Sequence, residues 1–341
     1  MTRQAGALGE LRAVYDAVVI GTGYGGGVAA CRLARAGLDV AVLERGREFE
    51  PGDFPDSTLG AAKELQVQLG SRRLGTASGL FDFRASDDVV ALVGCGVGGT
   101  SLINANVSLV PDDDIFDDDR WPTPLRRPGG DFELRTAYDR ARAMLRPARY
   151  PEDRLDHPLP KLEALRAAAG DGVPVDLVPI NVSFDPITHS TGVHQPACTG
   201  CGDCVTGCNF GAKNTTDRTY IADAVAHGAH LIAGTTVLRV EKREVGWRVV
   251  AVATGSSAPE VVCDAEIVVL GAGSLGSTEI LSRSAAAGLP VSTTLGTSVS
   301  GNGDFLGYAY DGERDVRGVG RGLDVAADQP VGPTITGGFT V

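Results

Sequence analysis

The amino-acid sequence predicts a doubly wound α/β fold. Its parallel sheet is built from discontinuous segments, with a partial α+β domain inserted between them. Three observations predict this. Apolar runs at 17–20 (AVVI) and 267–270 (IVVL) each end in a glycine-rich turn followed by a helical pattern. A third run, 89–93 (VVALV), ends in a longer glycine-rich loop. The run 40–43 (VAVL) closes on an acid, Glu44. Continuous apolar runs of this length suit parallel strands buried on both faces, and a glycine turn leading into a helix is the crossover of such a sheet.

Bulk composition narrows the class. The chain has 341 residues and is 43% hydrophobic, enough for a sizeable core and about two domains. Its 46 glycines are not periodic, which excludes collagen, and they gather after apolar runs. A net charge of −12 argues against nucleic acid or anionic membrane as partner. The run 112–119 (DDDIFDDD) reads as a solvated loop or helix start rather than a cation site, because blocks of like charge are ordinarily hydrated. The N-terminus MTRQAGALGELRAVYD has no apolar signal region, and no apolar run reaches the ~18 residues of a membrane span, so a soluble cytoplasmic protein is expected. Between the apolar runs, the Pro-, Arg- and Asp-rich stretches 111–128 and 146–160 read as excursions from the core.

The first turn is Gly21-Thr22-Gly23-Tyr24-Gly25-Gly26, a G-x-G-x-x-G between a strand and a helix whose apolar face is expected at Val28, Ala29, Leu33 and Ala34, with Gly37 as its stop. Glu44 ends the next strand, 21 residues after Gly23. Gly21 permits the tight turn, Gly23 the approach of a diphosphate, and Gly26 close helix–strand packing. The helix N-terminus offers N–H groups to phosphates, and Glu44 can accept from ribose hydroxyls, which disfavours a 2′-phosphate. The pattern is that of a Rossmann-type dinucleotide site. In the second motif, Gly94-Cys95-Gly96-Val97-Gly98-Gly99-Thr100-Ser101 precedes Leu102-Ile103-Asn104-Ala105-Asn106. Its glycines cost backbone entropy unless the main chain must pass close to something flat, and the asparagines can bond a polar ring edge.

GTGYGGG with LERG, followed by GCGVGGTSLINANV, is similar to the paired N-terminal signatures of glucose–methanol–choline (GMC) oxidoreductases, in the form found in cholesterol oxidases. The resemblance covers most of 16–341. It implies FAD rather than NAD, with Gly98, Gly99, Thr100, Asn104 and Asn106 on the flavin side. Gly271-Ala272-Gly273-Ser274-Leu275-Gly276 is a second formal G-x-G-x-x-G, which could serve an NAD(P)H as in flavin reductases. Thr293 and Thr294 stand where that nucleotide's acid or arginine would be, and no clean strand follows. GSLGSTEIL resembles the second GMC signature instead, with Thr278 where proline is usual. That resemblance brings Gly271 and Ala272 to the same dinucleotide. Thr236-Val237-Leu238 resembles the strand whose backbone meets the adenine, at Val237, and SGNGD at 300–304 resembles the family's next segment.

Cysteines occur at 31, 95, 198, 201, 204, 208 and 263. Cys198, Cys201, Cys204 and Cys208 follow the C-x2-C-x2-C-x3-C spacing of bacterial ferredoxins, with Gly200, Gly202 and Gly207 for tight turns and Asn209 where those proteins carry proline. In a chain without an export signal, such a cluster reads as metal or redox chemistry before disulfides. Three readings stay open: an iron–sulfur cluster, a closed zinc site, and structural thiols or disulfides. In two-cluster ferredoxins the fourth cysteine serves the other cluster. Here either all four adapt to one cluster or Cys31, Cys95 or Cys263 completes it. The continuation GCNFGAKNTTDRTY resembles a segment of cholesterol-oxidase-like GMC proteins.

What the resemblance implies is hydride transfer from an alcohol, such as a sterol or another bulky alcohol, to flavin N5. Oxygen, an acceptor protein or a quinone would then take the electrons, a cluster favouring a dehydrogenase. The family's histidine base lies in a C-terminal segment. His157, His189, His194, His227 and His230 match no such motif, so the base is expected beyond Val341 and the sequence is read as a fragment. An electron-transfer subunit that needs a partner, and an FAD/NAD(P)H reductase, stand as alternatives. The expected division is 1–110 and 213–304 for the FAD-binding domain, 111–212 for a substrate-domain excursion carrying the cysteines, and 305–341 for the start of a truncated substrate domain.

Overall fold

The computed structural model describes residues 4–70, 72–87, 89–126, 133–154, 159–170, 172–301, 307, 312–320, 322 and 330–339. His157 and most of the SGNGD segment lie outside them.

β1 (Val14–Ile20) runs into α1 (Tyr24–Arg35), which returns the chain to β2 (Val40–Leu43). A short α2 (Thr58–Lys63) leads to β3 (Leu65–Leu69), β4 (Arg72–Gly75), β5 (Phe81–Ala85) and β6 (Val90–Gly94). Then come α3 (Glu133–Leu145), α4 (Pro160–Ala169) and the two-residue strands β7 (Asp176–Leu177), β8 (Ile187–Thr188) and β9 (His194–Gln195). A π-helical turn at Asp217–Ile221 opens α5 (Ala222–Ala226). β10 (His230–Ile232), β11 (Thr235–Lys242), β12 (Trp247–Ala253) and β13 (Val261–Leu270) precede α6 (Gly273–Ala286), and β14 (Gly337–Gly338) pairs with β7.

The main sheet has the order β10-β2-β1-β13-β12-β11. Its first four strands are parallel, and β12 and β11 extend it antiparallel. Residues of the first glycine segment and of the third therefore share one sheet, Val18 facing Val268 and Ile20 facing Leu270. This is the discontinuous assembly expected from the sequence. Alternating side chains feed two cores. Val18, Ile20, Ala41 and Leu43 pack with Ile232, Val249 and Ile280 on one face. Ala17, Val19, Val40 and Val42 pack with Ala30, Ala34 and Ala224 on the other. Burial on both faces explains the unbroken runs 17–20 and 40–43, whereas the run 89–93 forms β6, which pairs antiparallel with β5 and is alternately exposed, contrary to the expectation of a buried parallel strand. A smaller sheet, β4-β3-β5-β6, stands beside this one. It is tied back through Asp82, whose carboxylate accepts from Arg45 at 2.7 Å and from Arg84 at 2.9 Å.

α1 meets the sequence expectation in part: Ala34 is buried and Ala29 and Leu33 pack against the core, but Val28 does not. Its buried residues are Gly26, Gly27, Ala30, Cys31 and Ala34, while Val28 is 40% exposed. The small residues face inward because the helix lies close to β1 and to the π-helical turn, where a bulkier side chain has no room. The helix ends as expected: Gly37 (φ 84°) donates to Ala34 O, and Leu38 N to Leu33 O, the paired bonds of a Schellman stop.

A Cβ added at Gly26 would lie 1.9 Å from Gly21 O, whereas one at Gly25 meets nothing within 4 Å. Gly26→Ala is therefore expected to destabilise the chain by about 3 kcal/mol, the upper end for overpacking, and Gly25→Ala by less than about 1 kcal/mol. Urea denaturation of both variants reads the difference. Equal midpoints would contradict the packing described.

Candidate dinucleotide site

Three glycine turns converge at the ends of β1, β13 and β6. Gly21 adopts φ 96°, and a Cβ there would sit 2.5 Å from Gly271 O. One at Gly271 would sit 2.6 Å from the Cα of Gly26, and one at Gly99 would sit 2.9 Å from the Cα of Gly23. The turns thus pack main chain against main chain, a contact only glycine permits.

Thr22 joins them. It is fully buried. Its hydroxyl donates to Glu44 Oε2 at 2.5 Å and accepts from Gly98 N at 2.9 Å, and its carbonyl accepts from Thr216 Oγ1 at 2.8 Å. The Glu44 carboxylate also accepts from Thr22 N at 3.1 Å and, through Oε1, from Gly46 N at 2.8 Å. A carboxylate has about four lone-pair sites, so capacity is left for a further donor. Nothing in the motif pattern marks Thr22, which occupies a variable position of G-x-G-x-x-G.

These turns open onto one cavity of about 950 Å³, at the upper end for small-molecule and cofactor sites. Gly21, Gly23, Gly25, Glu44, Gly99, Thr100, Val237, Gly271 and Ala272 line it together. Cβ atoms at Gly23 and Gly25 would meet nothing within 4 Å, so the head of α1 is bare. Gly26 lies behind the turn and Gly98 beneath it. Both glycine motifs of G-x-G-x-x-G form face this single cavity, which leaves the third motif without a nucleotide cradle of its own. Sequence reasoning missed the charged wall. Arg45, Arg73, Arg84 and Arg283 also line the cavity, beside Glu44 and Glu279; Arg45 and Arg84 pair with Asp82, and Arg84 and Arg283 with Glu279. Arg45 directly follows Glu44 in LERG, and that adjacency was the available signal.

Asn104 and Asn106 are set apart from this lining. Asn104 Nδ2 donates to Tyr24 Oη at 3.0 Å. Asn106 is buried in a left-handed conformation (φ 70°), and its backbone carbonyl accepts from Asn181 N at 2.9 Å. Among the described residues, neither side-chain polar atom of Asn106 has a protein partner, nor do Asn104 Oδ1 and Asn181 Oδ1. Burial raises the Tyr24 phenol pKa, while bonds from Asn104 and Asn181 oppose the rise.

Cys198, Cys201, Cys204 and Cys208 are free thiols around a second, small cavity, with a space of about 20 Å³ open to the centre of a water molecule. Among the described residues, no group of three or more His, Cys, Asp or Glu side chains could hold a metal ion. The zinc expectation therefore has no site here, and no ready-made metal centre supports the iron–sulfur one. The sulfurs surround a space instead of meeting at a point. Burial pushes Cys198 up to about 12 and Cys201 up to about 11. Two lysines lie alongside. Lys213 Nζ donates to Leu102 O, Asn104 O and Cys204 O at 2.8–2.9 Å, and Lys161 Nζ to Gly332 O and Pro333 O. Burial lowers each to about 8. Asn209, where ferredoxins carry proline, clamps a neighbouring loop. Its Oδ1 accepts from Gly52 N and Phe54 N, and its Nδ2 donates to Phe54 O, all at 3.0 Å. Cys31, Cys95 and Cys263 are buried elsewhere and do not line this cavity.

None of the described histidines lines either cavity. His189 pairs with Gln195, His227 Nδ1 with Asp223 O at 2.8 Å, and His230 Nδ1 with Tyr15 Oη at 2.7 Å. Among the described residues, no helix is long and apolar enough to cross a membrane.

A mainly parallel sheet with glycine turns at the carboxyl ends of β1 and β13 defines a doubly wound α/β protein. The family model described as GMC oxidoreductase matches residues 15–299, and the chain belongs to that family, whose members generally bind FAD. It is 35% identical to a cholesterol oxidase of Mycobacterium tuberculosis over 71% of this chain and 43% of that protein. It is 30% identical to a cholesterol oxidase of Acinetobacter baumannii over 94% of this chain and 59% of that one. Long-chain-alcohol oxidase FAO4B of Arabidopsis thaliana is 30% identical over 87% of this chain and 39% of its own length. The chain thus spans about half the length of these relatives.

Thr22→Val keeps the shape but leaves Gly98 N and one acceptance at Glu44 unmade. It should cost about 1–3 kcal/mol, while Thr22→Ser should be close to neutral. Thermal unfolding of the two variants decides, and a valine variant as stable as the parent would remove Thr22 from its joining role.

Proposed function

We propose that this chain supplies the flavin-binding part of an FAD-dependent alcohol oxidoreductase, acting on a sterol or another bulky alcohol. The observation that carries the reading is the convergence of three glycine turns and Glu44 on one cavity. The residues present fit FAD. The bare glycines at the head of α1 leave room and free N–H groups for a diphosphate, and Arg73, in the same lining and bonded to the neutral Gln68, adds positive charge to it. The spare acceptor capacity of Glu44 suits a ribose hydroxyl, and Val237 and Leu238 offer a backbone edge where β11 bulges.

A flavin held here would supply a hydride acceptor for the alcohol carbon, the hydroxyl proton going to a base. The chain's own residues hold and orient. Gly99 and Thr100 would carry the ring, with Gly98 supporting them through its bond to Thr22, and Asn104 Oδ1 and the Asn106 amide would meet its polar edge, recovering the roughly 1–3 kcal/mol that each buried unmade bond costs. Relatives named as oxidases favour oxygen as electron acceptor, with an acceptor protein or quinone as the other route. We infer the division given above, 1–110 with 213–304 around the cofactor and 111–212 as an excursion.

Gly23→Val places a branched side chain in open space at φ −63°, so the fold should persist while the phosphate approach is blocked. The full-length variant should retain less than about one hundredth of the parent's FAD affinity, roughly 3 kcal/mol, with unchanged circular dichroism. Full FAD retention would overturn the placement.

A further inference from the structure

The four-cysteine loop forms a cavity that the flavin site does not use. Cys198, Cys201, Cys204 and Cys208 all line it, so the fourth thiol serves the same space as the first three. The cavity is separate from the flavin site, and none of the distant cysteines Cys31, Cys95 and Cys263 lines it. Gly200, Gly202 and Gly207 take positive φ of 73°, 89° and 106°, winding the loop so that all four cysteines border one space. A single ion would need three or four donors converging on a point, which the described residues do not provide. Thiols spread around a void suit a polynuclear core, whose several metal corners each take one thiolate.

The charge environment points the same way. Lys213 is 2% exposed and lines the cavity. Lys161 holds the carbonyl of Pro333, another lining residue. A buried ammonium is costly unless a counter-charge is near; Lys213, buried, and Lys161, half-buried, bond only neutral carbonyls among the bonds described, and Asp203 is the acid that shares the lining. We propose that the four cysteines bind one cubane iron–sulfur cluster. Assembly takes two ferrous ions, two ferric ions and four sulfides, and four thiol protons leave as four thiolates bind. The product is a dianion, and the two ammonium groups offset it. Lys213 also bonds the carbonyls of Leu102 and Asn104, which joins the cluster loop directly to the segment assigned to the flavin ring.

The test is iron and acid-labile sulfide analysis of the full-length protein, purified anaerobically and also after reconstitution with equimolar ferrous and ferric iron and sulfide. Flavin is measured on the same samples, so this proposal and the flavin reading fail separately. About four iron and about four sulfide per chain, with broad absorption near 400 nm beneath the flavin bands, are expected. Cys204→Ala should lose at least nine-tenths of the iron while keeping flavin, and Cys263→Ala should keep both. Stoichiometric zinc, flavin-replete protein that takes up no iron on reconstitution, or iron unaffected by Cys204→Ala would each overturn it.

Discussion

The structure depends on backbone approaching backbone where three turns meet. Gly21 against Gly271, Gly26 against Gly21 and Gly99 against Gly23 are contacts in which a methyl group would fall 1.9–2.9 Å from the neighbouring main chain. Such contacts cannot relax by rotating a side chain, because no side chain is present. They fix the ends of β1, β13 and β6 relative to one another and so shape the cavity. Thr22 and Glu44 then lock the junction with hydrogen bonds that are buried and mutually satisfied.

Much of this was legible in the sequence. β2 was read at its observed limits, and β1 followed from an apolar run that burial on both faces explains, but the same reasoning fails for the run 89–93, whose strand β6 is antiparallel and alternately exposed. The Gly21, Gly26 and Gly37 roles came from positions where chirality or contact leaves no alternative. The face of α1 was misjudged at Val28, which hydrophobicity marked, while the packing distance selected Gly27, Ala30 and Cys31. Thr22 and the cavity arginines escaped because their importance lies in partners distant along the chain, such as Gly98 and Asp82, which no local period encodes.

The second glycine segment shows the limit of motif reading. Gly99 and Thr100 face the cavity, but Gly98 works beneath it, donating to Thr22. Asn104 and Asn106 stand to one side with amide atoms that the described protein does not satisfy. Their neighbour Lys213 carries three carbonyls and connects this strip to the cysteine loop. Two chemically distinct cavities thus share one mechanical joint, and Asn209 ties the same loop to residues 52–54. An acidic chain has gathered arginines at one cavity and lysines at the other, and this distribution of charge is more informative than the net value of −12.

The most direct measurement is calorimetric titration of the flavin-stripped, full-length protein with FAD and, separately, with NAD. The account predicts about one FAD per chain, with submicromolar affinity typical of a resident cofactor and a Kd below ~1 μM corresponding to −8.2 kcal/mol or better, and no heat from NAD. Binding of NAD in preference to FAD, or of neither by correctly folded protein, would contradict it.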